Sequence, residues 1–152
     1  MPEVFELSVE QLNAHNAAVI EEFRSNGGVV NGLPDGARPL LLTVTGAKTG
    51  KQRIVPLGYF VVDEAIVVCA AFGGAPRHPA WVYNLRAEPR VRVEIGNDAF
   101  DAIAHEVPLR RHEHLWTEML AQVGEFADPR SKTARTIPLF ELVINRRGIA
   151  DH

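Results

Sequence analysis

The chain has 152 residues, 46% of them hydrophobic, a size and composition that predict a single globular domain over residues 1–152. No run approaches 18 apolar residues and the N-terminus lacks the regions of a signal peptide, so we expect a cytoplasmic protein without a transmembrane segment. The formal net charge of −3 argues against nucleic acid as a partner, because nucleic-acid binders are usually basic overall.

Basic residues are concentrated in the middle of the chain. Residues 1–35 contain six acids and one base, whereas residues 36–87 contain six bases and two acids. This asymmetry favours a small anionic ligand bound near the middle segment. The alternative is that the acidic N-terminal segment packs nearby and balances the charge.

Residues 8–24 are predicted to form an amphipathic helix. Ser8 and Gln11 have the spacing of a capping box, and apolar residues recur at near-helical intervals up to Gly27 and Gly28. We expect this acidic helix to cover one face of a sheet. Peripheral contact with a membrane surface is the alternative.

The stretch LLLTVTGAKTGKQRIVPL, residues 40–57, predicts a strand, a tight turn and a second strand. Gly46 and Gly50 bound the turn, and both are expected to take positive φ so that backbone N–H groups converge on a phosphate or carboxylate. The segment is not a nucleoside triphosphatase P-loop, because Gln52 stands where that motif has its hydroxyl residue. A hairpin with a solvated basic turn is the alternative.

Two strands follow from this segment, at about 53–62 and 65–71, joined by a tight turn at 63–64. Pro56 removes a ladder donor, which indicates an edge, a bulge or a segment that faces a ligand. Cys69, the single cysteine, is expected to be a buried strand residue rather than a nucleophile.

A second glycine-rich loop, around FGGAPRHP, leads into a short predicted helix, PAWVYNLRAE. Pro79 is expected at the first helical position, and the Glu88-Pro89 step ends the helix. Free N–H groups at the start of this helix make it a second candidate anion site. Trp81 either lines the resulting groove or packs the helix onto the sheet.

The remaining elements are predicted to be strands at 91–95 and 99–107, a helix at 109–124 and a last strand at about 137–144. His112 and His114 are two residues apart and point in different directions on a helix, so we expect no metal site. Together the elements predict an α+β domain. About six antiparallel strands form a small barrel or curved sheet, with an N-terminal helix and two shorter helices.

Several motifs carry a resemblance to a known family. The segments TGAKTGKQRIVPLGYF, AAFGGAPRHPAWVYNLRAEPRVRVEIG and TARTIPLFEL contain TG-x-K-T/S-G, R-x-x-PL, GG-x-x-x-x-P-x-W-x-x-NL and T-x-R-x-IP in that order. Over nearly its whole length, the chain resembles the deazaflavin-dependent nitroreductase family. That resemblance implies a split β-barrel that binds coenzyme F420, an 8-hydroxy-5-deazaflavin.

The implied activity is hydride transfer from the reduced coenzyme to a small electron-poor acceptor such as a quinone or a nitroaromatic. One alternative is a split-barrel oxidoreductase that uses FMN. The other is a non-catalytic carrier of the coenzyme or of a lipid-like molecule.

The resemblance also implies the coenzyme-binding residues. The phosphate and acidic tail would be held by the first turn, at Lys48, Thr49, Gly50 and Arg53. The deazaflavin ring would be flanked by Val55, Pro56, Leu57, Ala70 and Ala71. The groove wall would be formed by Phe72, Gly73, Gly74 and Trp81, with Phe72 standing where some members of the family have a lysine.

The catalytic residues are not identified by the resemblance. Some members line the acceptor side with tyrosines ahead of T-x-R-x-IP, where this chain reads VGEFADPRSK. Ser131, Tyr59, Tyr83 or water are therefore the alternative proton donors. A homodimer through the edge strand that carries Pro56 is one alternative for the oligomeric state.

Overall fold

The computed structural model describes residues 7–31, 38–71, 77–122 and 135–144. The elements in these ranges are α1 (Val9–Ser25), β1 (Arg38–Thr45), β2 (Gln52–Val62), β3 (Ala65–Cys69), α2 (Ala80–Ala87), β4 (Arg90–Ile95), β5 (Asp98–Glu106), α3 (Leu109–Gln122) and β6 (Leu139–Ile144). None of the helices in these ranges combines the length and the apolar character that crossing a bilayer requires.

The six strands close into a barrel in the order β1-β2-β3-β6-β5-β4, and every neighbouring pair is antiparallel. The prediction of an α+β split barrel with an N-terminal helix and two shorter helices is confirmed. Asp63 and Glu64 both have positive φ, 51° and 68°, which matches the right-handed twist of the two strands they join.

β2 changes partner along its length. Its residues from Gln52 to Tyr59 pair with β1, whereas only Tyr59 to Val62 pair with β3. Within the described residues, the stretch 52–58 therefore has β1 on one side and an open edge on the other. Pro56 lies in this stretch, where a missing N–H group is tolerated. Pro56 therefore occupies an edge position, which is one of the roles that the sequence left open for it.

Two apolar clusters lie on opposite faces of the sheet. The barrel interior contains Trp81, whose ring meets Phe140 edge-on with the ring centroids 5.8 Å apart. Outside the barrel, Trp116 and its neighbours on α3 pack against residues such as Phe60 and Val67. Because successive strand residues point to opposite faces, both sides of β2 and β3 are covered.

α1 is capped at its N-terminus and attached to the barrel near its C-terminus. The predicted capping box is present: the Gln11 N–H group donates to Ser8 Oγ, and the Ser8 N–H group donates to Gln11 Oε1. Near its C-terminus, Arg24 forms an ion pair with Glu94 of β4, with 2.9 Å between Nη2 and Oε2. The buried side chain of Phe23 faces the sheet, so the apolar side of the helix contributes to the core.

Several boundaries differ from the sequence-based predictions by one or two residues. Pro79 stands at the N-cap of α2 in an extended conformation, so the helix begins one residue later than expected. β3 ends at Cys69, and β6 begins at Leu139 rather than at residue 137, because Pro138 has no N–H group to extend the ladder. The predicted end of α3 at Gly124 lies outside the described residues.

Candidate functional site

The turn between β1 and β2 is closed by its own backbone and attached to α2. The N–H group of Gly46 donates to the carbonyl of Lys51 at 2.8 Å, and that of Gly50 donates to the carbonyl of Gly46 at 2.9 Å. The side-chain oxygen of Asn84 accepts a hydrogen bond from the N–H group of Ala47 at 2.9 Å. The turn therefore has a defined position relative to α2.

The expected backbone cradle is only partly present. Gly50 has a positive φ of 70°, but Gly46 does not have positive φ. A Cβ atom at Gly46 would lie 2.9 Å from Oγ1 of Thr49, so this glycine is needed for space. The Lys51 N–H group donates to the same Oγ1 at 3.2 Å. Of the turn's N–H groups, those of Lys48 and Thr49 are left without a partner among the described residues.

Lys48 and Arg53 line a groove of about 690 Å³ between this turn and α2. The other lining residues are Gly46, Ala47, Thr49, Ala80, Tyr83 and Asn84. Within the described residues, neither cation has a carboxylate at ion-pair distance, whereas Arg86, Arg90 and Arg111 are each paired with a glutamate. The positive charge in the groove is therefore available to an anionic ligand.

A second groove, of about 280 Å³, continues from the first and shares Arg53, Ala80 and Asn84 with it. Its walls are the open edge of β2 at 54–57, the first turns of α2 and one side of α1. We call the two grooves together the cleft. One end of the cleft is cationic, and the other is mostly apolar.

The cleft brings together many of the residues that the sequence indicated. Those that line it are Lys48, Thr49, Arg53, Val55, Pro56, Leu57 and Trp81. Trp81 is only 6% exposed, so both roles considered for it apply: it packs in the barrel and its surface borders the cleft. Gly50 shapes the turn through its positive φ.

Other predicted residues lie beside the cleft or outside the described ranges. Ala70 is buried just after β3, and Ala71 is half-buried and packs against the outer cluster under α3. Cys69 is half-buried and borders the cleft, rather than being fully buried as expected. Phe72, Gly73 and Gly74 fall outside the described residues, as does Ser131.

The two tyrosines considered as proton donors have different surroundings. Tyr83 is 50% exposed and lines the cationic part of the cleft. Tyr59 is 6% exposed and belongs to the cluster inside the barrel. Of these two phenols, Tyr83 is the one at the cleft.

Two polar residues that sequence reasoning left without a role hold the surroundings of the cleft in place. Asn84 connects α2 to the first turn, as described above. Arg135 donates to the carbonyls of Ala70 at 3.0 Å and Ala71 at 2.8 Å, and to Nδ1 of His78 at 2.9 Å. Both residues stand inside the quoted motifs, as the Asn of NL and the Arg of T-x-R, and that position was the available signal.

The histidines of α3 have structural partners. Nε2 of His112 lies 2.7 Å from the carbonyl of Ile137, and its ring stacks on Trp116. Nε2 of His114 lies 3.0 Å from a carboxylate oxygen of Asp63. Both side chains therefore connect α3 to neighbouring segments.

Comparisons with known proteins give the chain a family. A family model described as F420H(2)-dependent quinone reductase matches residues 16–143. An F420H(2)-dependent quinone reductase of Mycobacterium tuberculosis (strain ATCC 25618 / H37Rv) is 32% identical over 147 residues, which is 93% of either chain.

Two solved structures resemble the chain in both fold and sequence. One is an F420-H2 dependent reductase, FDR-A, with 35% identity and a TM-score of 0.60 over 75% of this chain and 99% of its own. The other, described as a domain-swapped dimer, has 31% identity and a TM-score of 0.62 over 86% of this chain and 98% of its own. The sequence match and the shared fold agree, and the chain belongs to the F420H(2)-dependent quinone reductase family.

Proposed function

We propose that this protein is an oxidoreductase that transfers a hydride from reduced coenzyme F420 to a small electron-poor acceptor, with quinones as the preferred class. The observation that carries the proposal is the cleft, in which two cations without an ion-pair partner among the described residues adjoin an apolar groove. Membership of the family supports F420 as the coenzyme over FMN.

The cationic end of the cleft fits the anionic part of the coenzyme. F420 carries a phosphodiester and a carboxylate-rich tail, and such groups bind most strongly to charged donors. Lys48 and Arg53 would supply the charge, and the N–H groups of Lys48 and Thr49 would supply further donors. Arg53 lines both grooves, so it would stand where the tail meets the ring.

The apolar end fits the deazaflavin ring. Backbone and side chains of 55–57 form one wall, and Trp81 forms another. When bound in its reduced form, the coenzyme supplies the hydride, while the protein supplies placement and electrostatics. The proposed coenzyme-binding residues are those indicated by the sequence: Lys48, Thr49, Gly50, Arg53, Val55, Pro56, Leu57, Ala70, Ala71, Phe72, Gly73, Gly74 and Trp81.

A crevice of about 370 Å³ beside the apolar end is our proposed acceptor site. It shares Asn16, Pro56 and Leu57 with the cleft and extends between α1, the start of β1 and the middle of β2. Val19 and Phe23 contribute apolar surface to it. A planar apolar acceptor in this crevice would lie next to the ring, as hydride transfer requires.

The proposal is tested by following the oxidation of reduced F420 by menadione in the presence of the purified protein. We expect coenzyme oxidation that depends on both protein and menadione, with one quinone reduced per coenzyme oxidised. A carrier would bind the coenzyme without turnover of any quinone or nitroaromatic. Binding without turnover would therefore contradict the enzymatic proposal and favour the carrier.

We also propose that residues 1–152 form a single domain, that it assembles as a homodimer and that it acts in the cytosol. Closure of all six described strands into one barrel supports a single domain. The solved structure described as a domain-swapped dimer supports a homodimer. A single cooperative unfolding transition and a dimeric mass by light scattering are the expected results. Fractionation of cells would test the location and the alternative of a peripheral membrane contact through α1.

A further inference from the structure

Arg135 joins two parts of the chain that are far apart in sequence. Its Nη2 donates to the carbonyls of Ala70 and Ala71, which directly follow β3. Its Nη1 donates to Nδ1 of His78, which precedes Pro79 and the start of α2. One guanidinium therefore contacts both the residues just after β3 and the residue that precedes α2 by two positions.

Partial burial of the Arg135 guanidinium costs hydration energy, and hydrogen bonds to three acceptors offset that cost. Burial lowers the pKa of Arg135 below its ordinary value, yet the guanidinium stays charged at neutral pH. Its planar fork reaches three acceptors at 2.8–3.0 Å, which compensates for the lost hydration. A lysine could not match this geometry, because its ammonium is a single point of charge.

His78 is shaped by the same contact. Burial first, and then the positive charges of Arg135 and Arg86, lower the pKa of His78, and Glu106 opposes them. Nδ1 accepts the hydrogen bond from Arg135, so the neutral ring carries its proton on Nε2. The ring is thus held in one tautomer and one orientation.

His78 lies two residues before α2, and α2 forms part of the wall of the cleft. This helix contributes Ala80, Trp81 and Asn84 to the walls of the cleft. Asn84 in turn accepts the hydrogen bond from Ala47 in the cationic turn. A continuous series of contacts therefore runs from Arg135 to the turn that carries Lys48.

We propose that Arg135 is a positioning residue of the coenzyme site, which acts through Ala70, Ala71 and His78 to set the place of α2. In the described part of the chain, Arg135 is not among the residues that line the cleft. Its effect on coenzyme affinity rests on the proposed function. Its effect on the β3–α2 junction does not.

The test compares R135M and R135K with R111M as the matched control. Arg111 of α3 also forms an ion pair with a residue of the barrel, Glu141 of β6, but it does not line the cleft. We expect R135M to weaken F420 binding at least about tenfold, as the loss of charged hydrogen bonds implies. R135K should lie between R135M and the parent, and R111M should bind as the parent does. The KM for the coenzyme should rise more than kcat falls.

A second readout needs no coenzyme. Hydrogen exchange of the ligand-free R135K protein should increase in peptides that cover residues 70–84, while peptides of β4 and β5 keep their protection. By NMR titration, the pKa of His78 should rise when Arg135 is replaced by methionine, because the positive charge of Arg135 is removed while that of Arg86 and the burial persist.

Folded R135K or R135M protein with the parent's affinity for F420 and the parent's exchange at 70–84 would overturn the proposal. If R135M does not fold, R135K and H78L carry the same comparison, and unchanged exchange at 70–84 in both would also overturn it. If the parent itself fails to bind F420, the proposed function fails. The exchange and His78 results still decide the role of Arg135 in that case.

Discussion

Lys48 and Arg53 differ in their surroundings from the arginines that form ion pairs. Arg24, Arg86 and Arg111 lie against glutamates, whereas Lys48 and Arg53 face a groove with no carboxylate at ion-pair distance among the described residues. An anion that enters this groove meets charge that no carboxylate in the described part of the chain neutralises. Its hydration is therefore exchanged for direct charge-assisted hydrogen bonds.

Replacement of Lys48 and Arg53 together by alanine should weaken F420 binding by roughly ten- to a hundredfold, the range expected when charged hydrogen bonds are lost. Lys51→Ala is the matched control, because Lys51 belongs to the same turn but does not line either groove of the cleft. Fluorescence titration at constant ionic strength measures both effects. Equal affinities for the double variant and the control would place the coenzyme elsewhere.

The backbone just after α1, at Gly28, lies so close to Gly96 in the β4–β5 turn that there is no room for a Cβ atom at residue 28. Gly28 has a φ of 91°, and a Cβ atom there would lie 2.4 Å from Cα of Gly96. The approach joins the C-terminus of the helix to the barrel at the same side as the Arg24–Glu94 ion pair. The wall that α1 contributes to the cleft depends on this attachment.

Gly28→Ala should lower the free energy of unfolding by roughly 3 kcal/mol, since it adds a backbone clash to an unfavourable φ. Gly50→Ala is the matched control: its φ is also positive, 70°, but a Cβ atom there has nothing within 4 Å. That variant should lose only about 1 kcal/mol, the cost of the φ alone. Urea denaturation measures both, and equal losses would contradict the close approach of the two glycines.

The inner side of α1 also supplies the proposed acceptor crevice. Val19→Trp should fill part of the crevice and raise the KM for menadione by about tenfold, while the affinity for F420 stays unchanged. Ala17→Trp is the control, because Ala17 is exposed and does not line the crevice. Weaker F420 binding in the Val19 variant would indicate that the crevice holds part of the coenzyme instead.

At the level of the elements, sequence patterns predicted most of what is observed. The capping box at Ser8, the tight turn at 63–64 and the alternation in β4 and β5 are local signals, and each of these elements is confirmed. Two boundaries were wrong where a proline decided them, Pro79 at the N-cap and Pro138 ahead of β6, and β3 ends two residues earlier than predicted. Local propensity does not show whether a helix or a strand begins at a proline or after it.

Across the whole molecule, the fold was easier to predict than the contacts that position the site. The motifs indicated the barrel and most of the residues that line the cleft. They did not show that Arg135 reaches Ala70, or that Asn84 holds the turn at Ala47. The first contact joins residues that are 65 positions apart in the sequence, and the second joins residues that are 37 positions apart. Only the closed barrel brings such residues together. The expected backbone cradle is only partly present, because the N–H groups of Gly46 and Gly50 bond within the turn and that of Ala47 bonds to Asn84.

Binding of coenzyme F420 in the cleft is tested most directly by a fluorescence titration of the purified protein with oxidised F420, with FMN as the parallel ligand. We expect saturable binding of F420 and much weaker binding of FMN, because Lys48 and Arg53 face a longer anionic tail in F420. Preference for FMN would contradict the coenzyme assignment. Absence of F420 binding at about 100 μM, well above the range of a cofactor site, would contradict the cleft as a coenzyme site altogether.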